Sequence, residues 1–99
     1  MILVSWNCRG LGSSLKTNVA WDLINQEQLD LFLIQETKMS NQDFQNLTKR
    51  YKNFTGTATD SVGASGGIGT LWNKNKWDLI SQKSCNWWIR IELKNKVSK

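Results

Sequence analysis

Two polar side chains stand at the ends of two apolar runs. Ile2-Leu3-Val4-Ser5-Trp6 stops at Asn7, and Leu31-Phe32-Leu33-Ile34-Gln35 stops at Glu36. An amide oxygen and a carboxylate oxygen both suit a hard divalent cation such as Mg²⁺, which keeps several of its waters and needs few protein donors. Glu36 would be the metal ligand. Asn7 would share it, or would hold the carboxylate or a phosphate oxygen by hydrogen bonding. Glu36 equally fits a plain charged residue that closes a buried strand at the surface.

Placement decides between these readings. Both runs predict short strands, and the stretch between them has room for one helix. Leu15, Val19, Ala20, Leu23 and Ile24 recur at helical spacing, Ser13 or Ser14 offers an N-cap, and Glu27 and Gln28 close the segment. Strand, helix and strand in this span make a βαβ unit with a right-handed crossover. Asn7 and Glu36 then emerge side by side at one edge of a sheet, where open α/β sheets bind ligands. A second helix is expected after Ser40, with Phe44 and Leu47 inward and Lys49, Arg50 and Lys52 near its basic end. Beyond it the chain turns β-prone: Phe54 to Thr59, a Gly/Ser loop from Asp60 to Gly67, Ile68 to Trp72, and Trp77 to Ser84. The last strand sets Trp87, Ile89, Ile91 and Leu93 against Trp88, Arg90 and Glu92, the period of a strand with one buried face. The fold class is α/β, a βαβ start followed by a β-meander.

Composition narrows the function. The chain has 99 residues, enough for one small domain, and six Trp exclude a disordered tail. Histidine is absent, so a Ser-His-Asp triad, a Cys-His dyad and a His-based zinc site are excluded within these residues. Cys8 and Cys85 form no disulfide framework. Met1 leads into an apolar run without a basic segment, so no signal peptide is expected. An intracellular, nuclear or cytoplasmic setting is expected, with no membrane partner. Net charge is +5 and uneven. Residues 1–43 carry three basic and five acidic side chains, whereas residues 44–99 carry ten and three. A basic half fits a polyanion partner, or simply a solubilising surface.

The wording of two segments adds to this. Ser5-Trp6-Asn7-Cys8-Arg9-Gly10-Leu11-Gly12 and Leu33-Ile34-Gln35-Glu36-Thr37-Lys38 resemble the first two motifs of the endonuclease/exonuclease/phosphatase (DNase I-like) superfamily. The first most resembles the endonuclease domain of plant LINE-type retroelements. Ser65-Gly66-Gly67-Ile68-Gly69-Thr70-Leu71-Trp72 is similar to that group's next landmark. The resemblance implies the N-terminal portion of a four-layer α/β sandwich, and metal-dependent hydrolysis of a phosphodiester with Mg²⁺ or Mn²⁺. It implies a nucleic acid partner, most readily DNA. Asn7 would then bind near the scissile phosphate and Glu36 would ligate the metal.

The same resemblance marks what these residues lack. The family completes its site with a tyrosine, an Asp-x-Asn pair and an Asp-His pair, and none is present. Tyr51 comes too early, and Asp78 is followed by Leu79-Ile80. Leu29 and Ala64 stand where a proline and a basic residue are usual. Residues 1–99 are therefore expected to be a partial domain, truncated on its C-terminal side and inactive alone. Arg9, Lys38, Lys74, Lys76 and Trp88 are the candidates for contacting nucleic acid, through phosphate attraction and base stacking. Arg9 also reads as a solvated loop residue, Cys8 as a buried inert thiol, and Gly66-Gly67 as either a phosphate approach or a tight turn. Two further readings stay open: a non-catalytic nucleic-acid-binding or interaction module, and a fragmentary open reading frame without selected function.

Overall fold

The computed structural model describes residues 1–62 and 66–96. Gly63, Ala64 and Ser65 of the Gly/Ser loop lie outside the described residues. The apolar runs form strands β1 (Leu3–Asn7) and β2 (Leu31–Gln35), joined through helix α1 (Ser14–Glu27). Helix α2 (Asn41–Thr48) leads to β3 (Phe54–Ala58), β4 (Ile68–Asn73), β5 (Trp77–Cys85) and β6 (Trp88–Asn95). β1 and β2 pair in parallel, as a βαβ unit requires, with Asn7 opposite Gln35.

The four-stranded sheet has the order β1-β2-β4-β3, with β4 antiparallel to both neighbours. β3–β4 and β5–β6 are consecutive antiparallel pairs, but the chain leaves the sheet between β4 and β5. The expected meander thus divides into two pairs, and β5–β6 stands as a separate hairpin. This mixed α/β arrangement is that of a partial DNase I-like fold. No helix among the described residues is long and apolar enough to cross a membrane.

Both helices cover one face. Phe32 and Ile34 of β2 and Leu71 of β4 are fully buried beneath Ala20 and Ile24 of α1 and Phe44 and Leu47 of α2. Each large side chain buried in this way contributes about 1.5–3 kcal/mol. The Phe44 ring lies where a side chain on β4 would be: a Cβ at Gly69 would collide with it, whereas a Cβ at Gly56 on β3 would collide with the Thr70 carbonyl and the Leu71 side chain and come within 3.2 Å of the ring. Gly69 therefore acts as a socket for the α2 ring, and Gly56 lets β3 and β4 close beside it.

The helix starts follow from their caps. Ser13 Oγ accepts the Lys16 N–H at 3.3 Å, and Ser40 Oγ accepts the Asp43 N–H at 3.1 Å. The apolar face of α1 is rotated from the expected one. Thr17, Ala20 and Ile24 are buried, whereas Leu15 is 72% exposed and Val19 is also exposed. Trp21 fixes this rotation by stacking on Tyr51, with centroids 5.7 Å apart. The Tyr51 hydroxyl donates to the Thr17 carbonyl at 3.0 Å, and burial pushes its pKa up to about 12.

The opposite face of the sheet is partly covered by the hairpin. Ile89 and Ile91 of β6 line a cavity of about 260 Å³ with Leu33, Gln35, Ile68 and Thr70. Ile89, Ile91 and Leu93 are half-buried as their alternation predicts, but Trp87 departs from that stripe. It belongs to the two-residue turn between β5 and β6 and is 83% exposed.

Candidate active site

Asn7 ends β1, and Glu36 directly follows β2, so the two side chains leave adjacent strand ends. Strand alternation puts Leu33 and Gln35 on the hairpin face and would turn Glu36 toward the helices. The backbone prevents this. Glu36 has φ 54°, in the left-handed region. It instead lines a cavity of about 570 Å³ with Gln35, Asp60, Gly66, Gly67 and Trp87. Asn7, exposed, shares the hairpin face with Ser5 and Gln35. Gln35 Nε2 donates to Ser5 Oγ at 2.8 Å across the two strands.

A left-handed conformation costs a residue with a side chain about 1–2 kcal/mol. Arg9 (φ 53°) and Lys38 (φ 55°) carry the same strain beside Glu36. Lateral hydrogen bonds hold the three residues there. The Cys8, Gly10 and Leu11 N–H groups donate to the carbonyls of Gln35, Glu36 and Thr37 at 3.1, 2.7 and 2.9 Å. From the other side, the Thr37 and Lys38 N–H groups donate to Gly67 and Gly66 at 3.1 and 2.9 Å. The Glu36 segment is thus clamped between two loops, as a strand would be.

Gly66-Gly67 serves this clamp. Gly67 has φ 86°, and a Cβ there would overlap Thr37 Oγ1 and come within 3.2 Å of the Lys38 nitrogen. The close approach is to the backbone of residues 37–38. Lys16 Nζ fixes the first loop by donating to the carbonyls of Cys8 and Arg9 at 2.6 and 3.0 Å. Cys8 is buried, its Sγ 3.5 Å from the carbonyls of Gln35 and Glu36, and burial raises its pKa. The protonated thiol is a structural donor and a poor nucleophile.

The site has few donors for a metal. Among the described residues, no three of His, Cys, Asp and Glu converge. The Asp60 carboxylate reaches the same cavity, but its Oδ1 accepts the Asn41 N–H at 2.7 Å and so caps α2. The Glu36 carboxylate makes no hydrogen bond or ion pair with the described residues. With the Asn7 amide it fits a hydrated Mg²⁺ as one part of a ligand set, the remaining positions falling to water and substrate oxygen.

The other expected contacts divide by position. Arg9 and Lys38 are exposed on the clamped loops beside Glu36. Trp88, 45% exposed, sits on β6 against Leu33, Gln35 and Ile68. Lys74 and Lys76 lie in the β4–β5 turn at the opposite end of the sheet, because Asn73 hydrogen-bonds Asp30 at the start of β2. Lys76 pairs with the Asp30 carboxylate at 3.6 Å. Asp30 is itself buried and accepts the Ile2 N–H at 2.8 Å and the Trp77 Nε1–H at 3.3 Å. Sequence reasoning passed over Gln35 and Asp60 at the site, and it set Trp87 in the buried stripe of the last strand, with Trp88 as the stacking residue. Asp60, adjoining the Gly/Ser loop, is the one with a visible signal.

No curated protein matches the chain. A family model matches residues 4–93, from within β1 to within β6, including both strand ends and the Gly-Gly clamp. By that match the chain belongs to the Endonuclease/Exonuclease/phosphatase family.

Proposed function

We propose that the chain is the first part of a metal-dependent, DNA-cleaving phosphodiesterase domain of retroelement origin, and that it is inactive alone. Family members are typically dependent on a divalent metal and act on nucleic acid or other phosphodiester substrates. The observation that carries the reading is the Glu36 carboxylate. It is held out of strand alternation by a left-handed turn, on the strand end next to that of Asn7, without a hydrogen-bond or ion-pair partner among the described residues. Strain of this kind is kept where the surrounding structure enforces a special geometry.

Glu36 and Asn7 would hold Mg²⁺ or Mn²⁺. When bound, the ion would stabilise charge on the phosphoryl oxygens as water attacks. Arg9 and Lys38 would attract the phosphates on either side without choosing sequence. The origin is supported by the Ser5–Gly12 wording, and the inactivity by the small donor set. Catalytic groups act as a unit, so two partial ligands do not supply a fraction of the rate. The test is plasmid nicking with Mg²⁺. Supercoiled plasmid is expected to survive with the wild-type chain as it does with buffer. Nicking by the wild type that Glu36→Ala abolishes would overturn the inactivity and keep the site. Nicking indifferent to Glu36→Ala would overturn the site.

A further inference from the structure

We propose that Trp87 is the base-stacking residue of this site, which makes its ligand a nucleic acid strand and not a phosphoester without an aromatic ring. The inference rests on the phosphodiester reading of Glu36 and deepens it. Trp87 is 83% exposed, the most exposed of the large hydrophobic side chains among the described residues. It makes no ring contact among the described residues, unlike Trp6 on Phe32 and Trp21 on Tyr51. Its position is nevertheless defined. Cys85 and Trp88 pair directly across a two-residue turn, and the Trp87 N–H reaches Cys85 Sγ at 3.5 Å.

That turn brings the indole to the cavity that Glu36 lines, with Gly66 and Gly67 forming part of the wall. A volume of about 570 Å³ falls within the range of small-ligand sites. A carboxylate suited to a phosphate-bound cation and an open aromatic face border one space. A nucleotide carries both complements, a phosphate and a flat ring. Every base presents a π-face, so stacking on Trp87 would bind strands without sequence preference. Trp88, by contrast, lines a separate cavity with Leu33 and Ile89.

The test is fluorescence anisotropy with two end-labelled single strands at low salt and without divalent metal. One is a short oligothymidylate, and the other a base-free backbone of equal length. The wild type is expected to bind the base-bearing strand about ten-fold more tightly, the order of one base–aromatic stack. Trp87→Ala should remove that preference and leave the base-free affinity unchanged, Trp87→Phe should keep it, and Trp88→Ala should keep it. Equal binding of both strands by the wild type would overturn the role of Trp87 and leave the phosphodiester reading standing. Preference lost in Trp88→Ala and kept in Trp87→Ala would overturn it as well. Failure to bind either strand would overturn the role of Trp87, and the plasmid-nicking test with Glu36→Ala decides the phosphodiester reading separately.

Discussion

Gly67→Ala tests whether the clamp on Glu36 is as tight as its geometry implies. Two costs add. Alanine at φ 86° enters backbone territory that L side chains rarely adopt, at about 1–2 kcal/mol. The new Cβ also overlaps Thr37 Oγ1, and relieving that contact means shifting the loop or the threonine, at about 1–3 kcal/mol. The expected destabilisation is about 3 kcal/mol. Thr37 makes the two costs separable. It is fully buried, and its hydroxyl has no hydrogen-bond partner among the described residues. Thr37→Ala loses a buried methyl and also removes an unsatisfied polar atom, so alone it should be close to neutral. In the Thr37→Ala background, Gly67→Ala should cost only the backbone part, a coupling of about 1 kcal/mol or more between residues in direct contact. Urea unfolding followed by circular dichroism measures all four proteins, with midpoints compared at constant m. A single Gly67→Ala variant within about 0.5 kcal/mol of wild type would refute the close approach. An equal cost with and without the Thr37 hydroxyl would refute the overlap.

The remaining predictions concern Asp30 and the thiols. The Ile2 N–H, the Trp77 indole N–H and the Lys76 ammonium hold the Asp30 carboxyl below its ordinary value of 3.8, against the opposing effect of burial. Its stabilisation should therefore be complete above pH 3.8 and decline as pH falls through the lower folded-state value. Asp30→Asn should cost about 1.5–3 kcal/mol near neutrality, the range for hydrogen bonds to a charged group. That gap should close in acid, and a gap constant down to pH 2 in unfolding titrations would contradict this account. Cys85 is exposed and Cys8 is buried, with its pKa raised. A maleimide should label one thiol quickly in the native chain and both in urea, and rapid labelling of Cys8, mapped by peptide mass, would show that its loop is open.

The elements with strong local signals could be read before the fold was known. Ser13 and Ser40 cap their helices, and the apolar runs pair in parallel with Asn7 and Glu36 at neighbouring ends. What escaped was set by contacts distant in sequence. Nothing marks Arg9, Glu36 or Lys38 as left-handed, because none is glycine; the flanking loops impose the conformation. Gly56 and Gly69 look like weak points in strands, yet Gly69 makes room for a ring from α2 and Gly56 for the neighbouring strand. Asp30 looks like a surface charge before a strand until Trp77 and Lys76 come back to it. The strand alternation extrapolates one residue too far at Trp87, because that residue belongs to the hairpin turn.

The position of β4 bears on when this site can exist. β4 is synthesised after β3 but lies between β3 and β2. As the nascent chain leaves the ribosome, β2 has an unpaired edge until residues 68–73 emerge and insert. Before that moment Thr37 and Lys38 have no Gly66 or Gly67 to bond. Two of the five lateral hydrogen bonds that hold the strained Glu36 segment are then missing, and an unrestrained glutamate favours ordinary right-handed or extended conformations. A peptide ending after α2 would carry every letter of the two motifs around Asn7 and Glu36 and lack their geometry. The orientation of Glu36 is thus a property of the closed sheet, acquired late and all at once.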